Sequence, residues 1–201
     1  MDCLQALPRE HHACPQCANL LPESTPPLSL CGDCLRWPPA FDRTHAAFRY
    51  HGSMRYLITQ LKFAAHTKNA RLLGQLLAQQ LHNHAPQPQV LIPVPLYRKR
   101  YRERTFNQSL EIARVLSQQL GIPLALNSCI RQRDTPQQSQ LPRQERLKNL
   151  HNAFALPQPI AFKHVALVDD VMTTGTTLHE LAYLLKKHGV QTVDAWVVAR
   201  A

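Results

Sequence analysis

The chain is short of acids, of aromatic rings and of long apolar runs, and each shortage narrows what it can be. Asp and Glu number 13 against 23 Lys and Arg, so the formal net charge is +10. Such a surplus favours polyanionic partners, although charge of this size also serves solubility by itself. Aromatic residues make up 6% of a chain that is 44% hydrophobic, which implies a core of aliphatic side chains. No apolar stretch reaches the ~20 residues that a membrane-spanning helix needs. The N-terminus lacks the hydrophobic segment of a secretory signal, so a cytoplasmic protein is expected. At 201 residues there is room for one α/β domain and a small appendage.

What the chain does have begins with cysteine. Four of its 6 cysteines form two Cys-x-x-Cys pairs, Cys14/Cys17 and Cys31/Cys34, with 13 residues between the pairs. This is the spacing of a tetrahedral four-thiolate zinc ribbon with a structural ion. Disulfides are disfavoured in a cytosolic chain, and a thioredoxin-like site would not need two pairs. Cys129 stands alone in apolar surroundings and reads as a core residue. The ribbon element is expected over residues 1–38, closed by Trp37-Pro38-Pro39.

From Thr44 the pattern alternates between strand and helix, which predicts a mostly parallel sheet with ligands at the strands' carboxyl ends. Strands are expected at 44–50, 90–94, 124–130, 164–168 and 193–198. Helices are expected at 54–63, 70–81, from the cap Asn107 to 120, at 145–149, and from the loop after Asp170 to His188. The most informative stretch is Val165-Ala-Leu-Val-Asp-Asp-Val-Met-Thr-Thr-Gly-Thr-Thr177. A buried strand runs into two carboxylates, Asp169 and Asp170, placed as acceptors for sugar hydroxyls beyond the strand. The following turn holds Thr173, Thr174, Gly175, Thr176 and Thr177 at a helix N-terminus, where backbone N–H groups and hydroxyls suit a phosphate. Helix capping alone would account for one Thr and one Asp.

A second cluster spans 94–109. Arg98, Lys99, Arg100, Arg102 and Arg104 crowd a segment read as a loop between a buried strand and a helix. Guanidinium groups bind phosphate oxygens in pairs. Interleaved Tyr97, Tyr101 and Phe106 suit stacking on unpaired bases. The bland alternative is a solvated charged face.

The stretch 165–177 resembles the phosphoribosyl diphosphate (PRPP) signature of type I phosphoribosyltransferases. Val94-Pro-Leu, the basic run ending Arg104-Thr-Phe-Asn-Gln108, and Arg131-x-Arg133-x-Thr135-x-x-Gln138 followed by Arg146 narrow the likeness to the ComF/GntX family. Thr105 stands where that family usually has Gly. The resemblance implies a phosphoribosyltransferase-like domain over 44–201 after a zinc element. It implies PRPP bound with Mg²⁺, with Asp169 and Asp170 on the ribose, Thr173–Thr177 on the 5′-phosphate, and Arg98, Lys99 and Arg100 toward the diphosphate. It further implies a role in natural competence, with single-stranded DNA and proteins of the DNA-uptake machinery as partners. Arg102, Arg104, Phe106, Arg131, Arg133 and Arg146 are the remaining nucleic-acid candidates. Two readings stay open: a PRPP- and DNA-binding protein, or a transferase acting on an unidentified base.

Overall fold

The computed structural model describes residues 7–8, 12–63, 66–82, 85–134 and 152–201. The expected strand Val165–Val168 becomes the centre of a parallel sheet. Four strands, β1 (Arg43–Arg49), β2 (Val90–Pro93), β5 (His164–Met172) and β6 (Thr192–Arg200), lie in the order β1-β6-β5-β2. All three pairings are parallel. A parallel strand buried on both faces needs continuous apolar residues, and Val165 to Val168 and Val193 and Ala195 to Ala199 supply them.

Helices cover both faces. On one lie α2 (Gly52–Phe63), α3 (Lys68–Leu81) and α5 (Gln108–Leu120), packing Ile58, Leu61, Leu73, Leu77, Ile112 and Leu116 against the sheet. On the other lies α6 (Thr176–Lys187), whose Leu178, Leu181 and Leu185 meet Val165 and Leu167. Gly74 lets α3 pack closely on α5, since a Cβ there would lie 2.7 Å from Val115.

Three expectations change. The stretch 124–130 makes only a single parallel bridge, Leu91 with Leu124, before the short β3 (Ile130–Arg131). β3 pairs antiparallel with β4 (Phe154–Ala155) in a separate ribbon. Asn127, with φ +61°, breaks the strand between them. The basic segment is not a loop but a helix, α4 (Arg98–Arg104), because Arg, Lys and Glu are good helix formers and nothing inside it breaks the run. The strand bearing the two acids runs on through both of them to Met172. The expected helix at 145–149 and residues Thr135, Gln138 and Arg146 lie outside the described residues.

Helix α4 ends at Thr105, which adopts the left-handed conformation with φ +65°. A β-branched residue is strained there, at a cost of about 1–2 kcal/mol relative to glycine. The loss of chain entropy on fixing a glycine offsets part of any gain. Thr105→Gly is therefore expected to stabilise the protein by about 1 kcal/mol, raising the melting temperature by about 2–4 °C in calorimetry. An unchanged or lower melting point would show that the Thr105 hydroxyl bond to the Arg104 carbonyl compensates.

Candidate phosphate cradle and its basic neighbour

At the β2/β5 boundary the chain leaves in opposite directions. From β2 it passes through α5 on one face to Leu124 beside β2's outer edge; from β5 it passes through α6 on the other face to β6. Such a switch point opens a crevice at the strands' carboxyl ends. Asp169, Asp170 and the 173–177 turn all lie there, following Val168, whose register partner Pro93 ends β2.

The turn is built around Gly175, the N-cap of α6, with φ +74°. A Cβ on it would lie 2.7 Å from the Met172 side chain and 3.5 Å from Phe41, so both conformation and space call for glycine. Thr173 is exposed, Thr174 and Thr177 are half-buried, and Thr176 is buried with its hydroxyl 2.9 Å from that of Thr174. Asp169 and residues Val171 to Leu178 line a small cradle of about 30 Å³. It presents hydroxyls and the free N–H groups of a helix start, a set that accepts a phosphate-sized anion.

The two acids differ. Asp169 accepts a hydrogen bond from the Ser109 hydroxyl at 2.8 Å and from the Asp170 N–H at 2.9 Å. It is densely surrounded by protein yet keeps a partly exposed edge toward the cradle. Burial, and then the charge of Asp170, push its carboxyl up to about 7. Asp170 is 2% exposed and does not stand beyond the core. Its Oδ2 meets the Lys62 ammonium of α2 at 2.7 Å, and its Oδ1 accepts the Val171 N–H at 2.9 Å. Burial works to lower the Lys62 pKa, but the Asp170 charge overrides it and the net shift is upward. Lys62 was invisible in the sequence, where nothing marks it apart from other helix-terminal lysines. Ser109 had a signal, two residues beyond the cap Asn107.

Helix α4 stands at the end of β2. Asn107 caps α5 as expected, accepting from Ser109 N and Leu110 N and donating to the Val94 carbonyl at 3.0 Å. Arg98, Lys99 and Arg102 are exposed. Arg98 and Arg102 are one helical turn apart and share a face with Tyr101. Arg100 is half-buried. Arg104 turns inward, 5.5 Å above the Phe63 ring and bonded to Gln108 at 3.1 Å. Phe106 packs against the core rather than outward. Tyr97, Arg98, Tyr101, Leu126, Cys129 and Arg131 help to line a cavity of about 640 Å³ between α4 and the β3–β4 ribbon. Arg131 lies 5.6 Å from the Phe154 ring, and Arg133 is exposed. Cys129 is buried, which pushes its thiol up to about 12 and marks it as an unreactive core sulfur.

The four paired cysteines come together as their spacing implies. All four Sγ atoms lie within 4.8 Å of one another, and three of the residues are buried. Tetrahedral Zn–S bonds of about 2.3 Å place sulfurs about 3.8 Å apart, so the cluster has the size of a four-thiolate site. The Cys31 N–H points at Cys14 Sγ at 3.3 Å, an orientation that stabilises a thiolate. Burial pushes Cys17 up to about 11 and Cys34 higher still, and a bound cation would favour their thiolates. A short helix, α1 (Gly32–Arg36 in chain order the first), carries Cys34, and an antiparallel bridge joins Ala13 to Leu20. No described helix is long and apolar enough to cross a membrane.

The chain is similar in sequence to known proteins. Residues 106–201 match the family described as phosphoribosyl transferase domain. The chain is 36% identical over 203 residues to the DNA utilization protein YhgH of Salmonella typhi, covering 98% of this chain and 88% of that one. It is 37% identical over 180 residues to competence protein F of Haemophilus influenzae, covering 85% and 78%. It is 26% identical over 199 residues to competence protein ComFC of Bacillus subtilis, covering 94% and 78%. On these matches the chain belongs to the ComF/GntX family of phosphoribosyltransferase-like proteins.

Proposed function

We propose that this protein binds PRPP with Mg²⁺ in the cradle beyond β5 and single-stranded DNA along α4, and that it acts in natural competence. The observation that carries the reading is the convergence of Asp169, the Thr173–Thr177 turn and the start of α6 on one cradle at the sheet's switch point. There the turn holds the 5′-phosphate, Asp169 accepts a ribose hydroxyl, and the diphosphate extends toward α4. Mg²⁺ arrives on the diphosphate oxygens, since it keeps waters and prefers phosphate to a cage of protein ligands. The competence role is supported by relatives named competence protein F and DNA utilization protein. The four-cysteine cluster holds a structural zinc, within an N-terminal element spanning residues 1–38 that precedes the phosphoribosyltransferase-like domain over 44–201.

Titration calorimetry with PRPP and Mg²⁺ tests the pocket. Asp169→Ala is expected to weaken binding on the order of a hundredfold, the effect of losing about 3 kcal/mol of hydrogen bonding to a charged acceptor. Normal binding by this variant would make the signature a structural relic.

Three exposed cations on α4, Arg98, Lys99 and Arg102, set the DNA expectation. Each phosphate neutralised on a single strand adds about −0.7 to the slope of log affinity against log salt. Replacing all three with Ala is expected to flatten that slope by about 2, while Asp169→Ala leaves it unchanged. No oligonucleotide binding by the parent at physiological salt would remove the DNA part of the reading.

The 640 Å³ cavity beside α4 favours a second reading, a transferase with a free base as acceptor, because it is large enough for one. Pyrophosphate release on supplying a base to the PRPP complex would establish it.

A further inference from the structure

Lys62 comes from the last turn of α2, far in sequence from every motif of the site, and lysines at helix ends ordinarily stay solvated. Here the side chain is only 20% exposed and is pinned to Asp170 Oδ2 at 2.7 Å. That oxygen has no other hydrogen-bond partner among the described residues, and Oδ1 is taken by the Val171 N–H. Asp170 does not line the cradle; Asp169 does. One carboxylate in the cradle and a second directly behind it would together repel a ligand carrying a phosphate and a diphosphate, and a cation fixed on the second removes half of that charge.

We propose that Lys62 is a positioning residue for the PRPP site: its ion pair with Asp170 cancels one carboxylate charge and leaves Asp169 alone to meet the anionic ligand. This rests on the PRPP reading above. The other groups around the acid pair are the Ser109 hydroxyl from α5, bonded to Asp169, the charge of Arg104 from α4, felt by Asp170 and more weakly by Asp169, and the charge of Arg131 from β3, felt by Asp169. Tyr50 lies within electrostatic reach of Lys62. Of these cations only Lys62 forms an ion pair with Asp170 among the described residues.

The test compares the parent with Lys62→Met, Lys62→Arg and the double variant Lys62→Met with Asp170→Asn. PRPP–Mg²⁺ affinity is measured by calorimetry between pH 6 and 9, and the two carboxyls are titrated by carbon-detected NMR without ligand. Lys62→Met is expected to bind at least tenfold more weakly at pH 8 and to recover toward pH 6, as the unbalanced pair takes up a proton. Its carboxyl midpoint should rise by about one unit or more, the size of a tenfold change. Lys62→Arg should restore both, and the double variant, which again carries a single negative charge, should bind close to the parent. A Lys62→Met protein with parental affinity and midpoint overturns the proposal. So does a loss of affinity that is the same at every pH, or a folded double variant as weak as Lys62→Met. If Lys62→Met does not fold, the double variant and Lys62→Arg decide. If the parent itself fails to bind PRPP, the PRPP reading falls, and with it the positioning role; the NMR midpoint then reports only whether Lys62 neutralises the acid pair.

Discussion

Asp170→Ala is expected to lower the melting temperature by on the order of 10 °C, whereas Asp169→Ala is expected not to lower it at neutral pH. The two acids are neighbours in sequence, but only Asp170 is enclosed, at 2% exposure with the Lys62 ammonium 2.7 Å away. Removing one partner of a buried pair strands the other charge and costs about 3–5 kcal/mol. The low end applies here because Lys62 keeps a fifth of its side-chain surface. For a chain of this size each kcal/mol is about 2–4 °C. Asp169 behaves oppositely. Its carboxyl is raised from 3.8 to about 7, so the folded state holds a proton that the unfolded chain releases between those values. The stability it contributes is complete below its ordinary value and is lost as pH rises through about 7. Asp169→Asn should therefore match the parent near pH 4 and exceed it at pH 8. Thermal melts of the three variants across that range check both statements, and equal melting points for Asp169→Ala and Asp170→Ala would refute the division between the acids.

Metal analysis of the native protein is expected to give one zinc per chain, and its removal by a chelator to unfold the N-terminal element. Four-thiolate sites in small modules contribute about 10–16 kcal/mol of apparent binding energy, far more than so small an apolar cluster as Cys14, Cys31, Cys34 and Leu21 supplies. The loss will not stop at the element's edge. Thr44 of β1 receives support from Pro15 and Gln16, its N–H donating to the Pro15 carbonyl at 3.1 Å and its hydroxyl to the Gln16 carbonyl at 2.6 Å. Arg200 of β6 donates to the Cys17 carbonyl at 3.0 Å. Cys14→Ser should accordingly deprotect the edge strand β1 in amide hydrogen exchange, while β5 and β6 in the middle of the sheet stay protected. Native protein without zinc, or with four freely reactive thiols, would remove the metal site.

Much of this molecule was legible in the residues themselves. Apolar runs bounded by turn residues located β2, β5 and β6, because strands buried on both faces must be continuously hydrophobic. Asn107 announced the start of α5, since its side-chain oxygen satisfies helix N–H groups that nothing else nearby reaches. Cysteine spacing alone implied the cluster, because ligand geometry constrains residues only a few positions apart. The family resemblance likewise rested on short motifs in order, and overall identity to relatives agrees with it.

What the sequence could not disclose depends on residues distant along the chain. The basic run reads as a loop because its charges mask a short helix with no apolar face to give it away. The difference between Asp169 and Asp170 follows from which of them α2 covers, and Lys62 is separated from Asp170 by 108 positions of chain. Likewise the cavity beside α4 forms where Leu126 to Gln132 meet Tyr97 and Tyr101 in space. Local patterns determined the elements and the chemical groups on offer; the tertiary packing decided which groups are buried, paired or left facing a ligand, since burial and charge pairing are properties of neighbours in space.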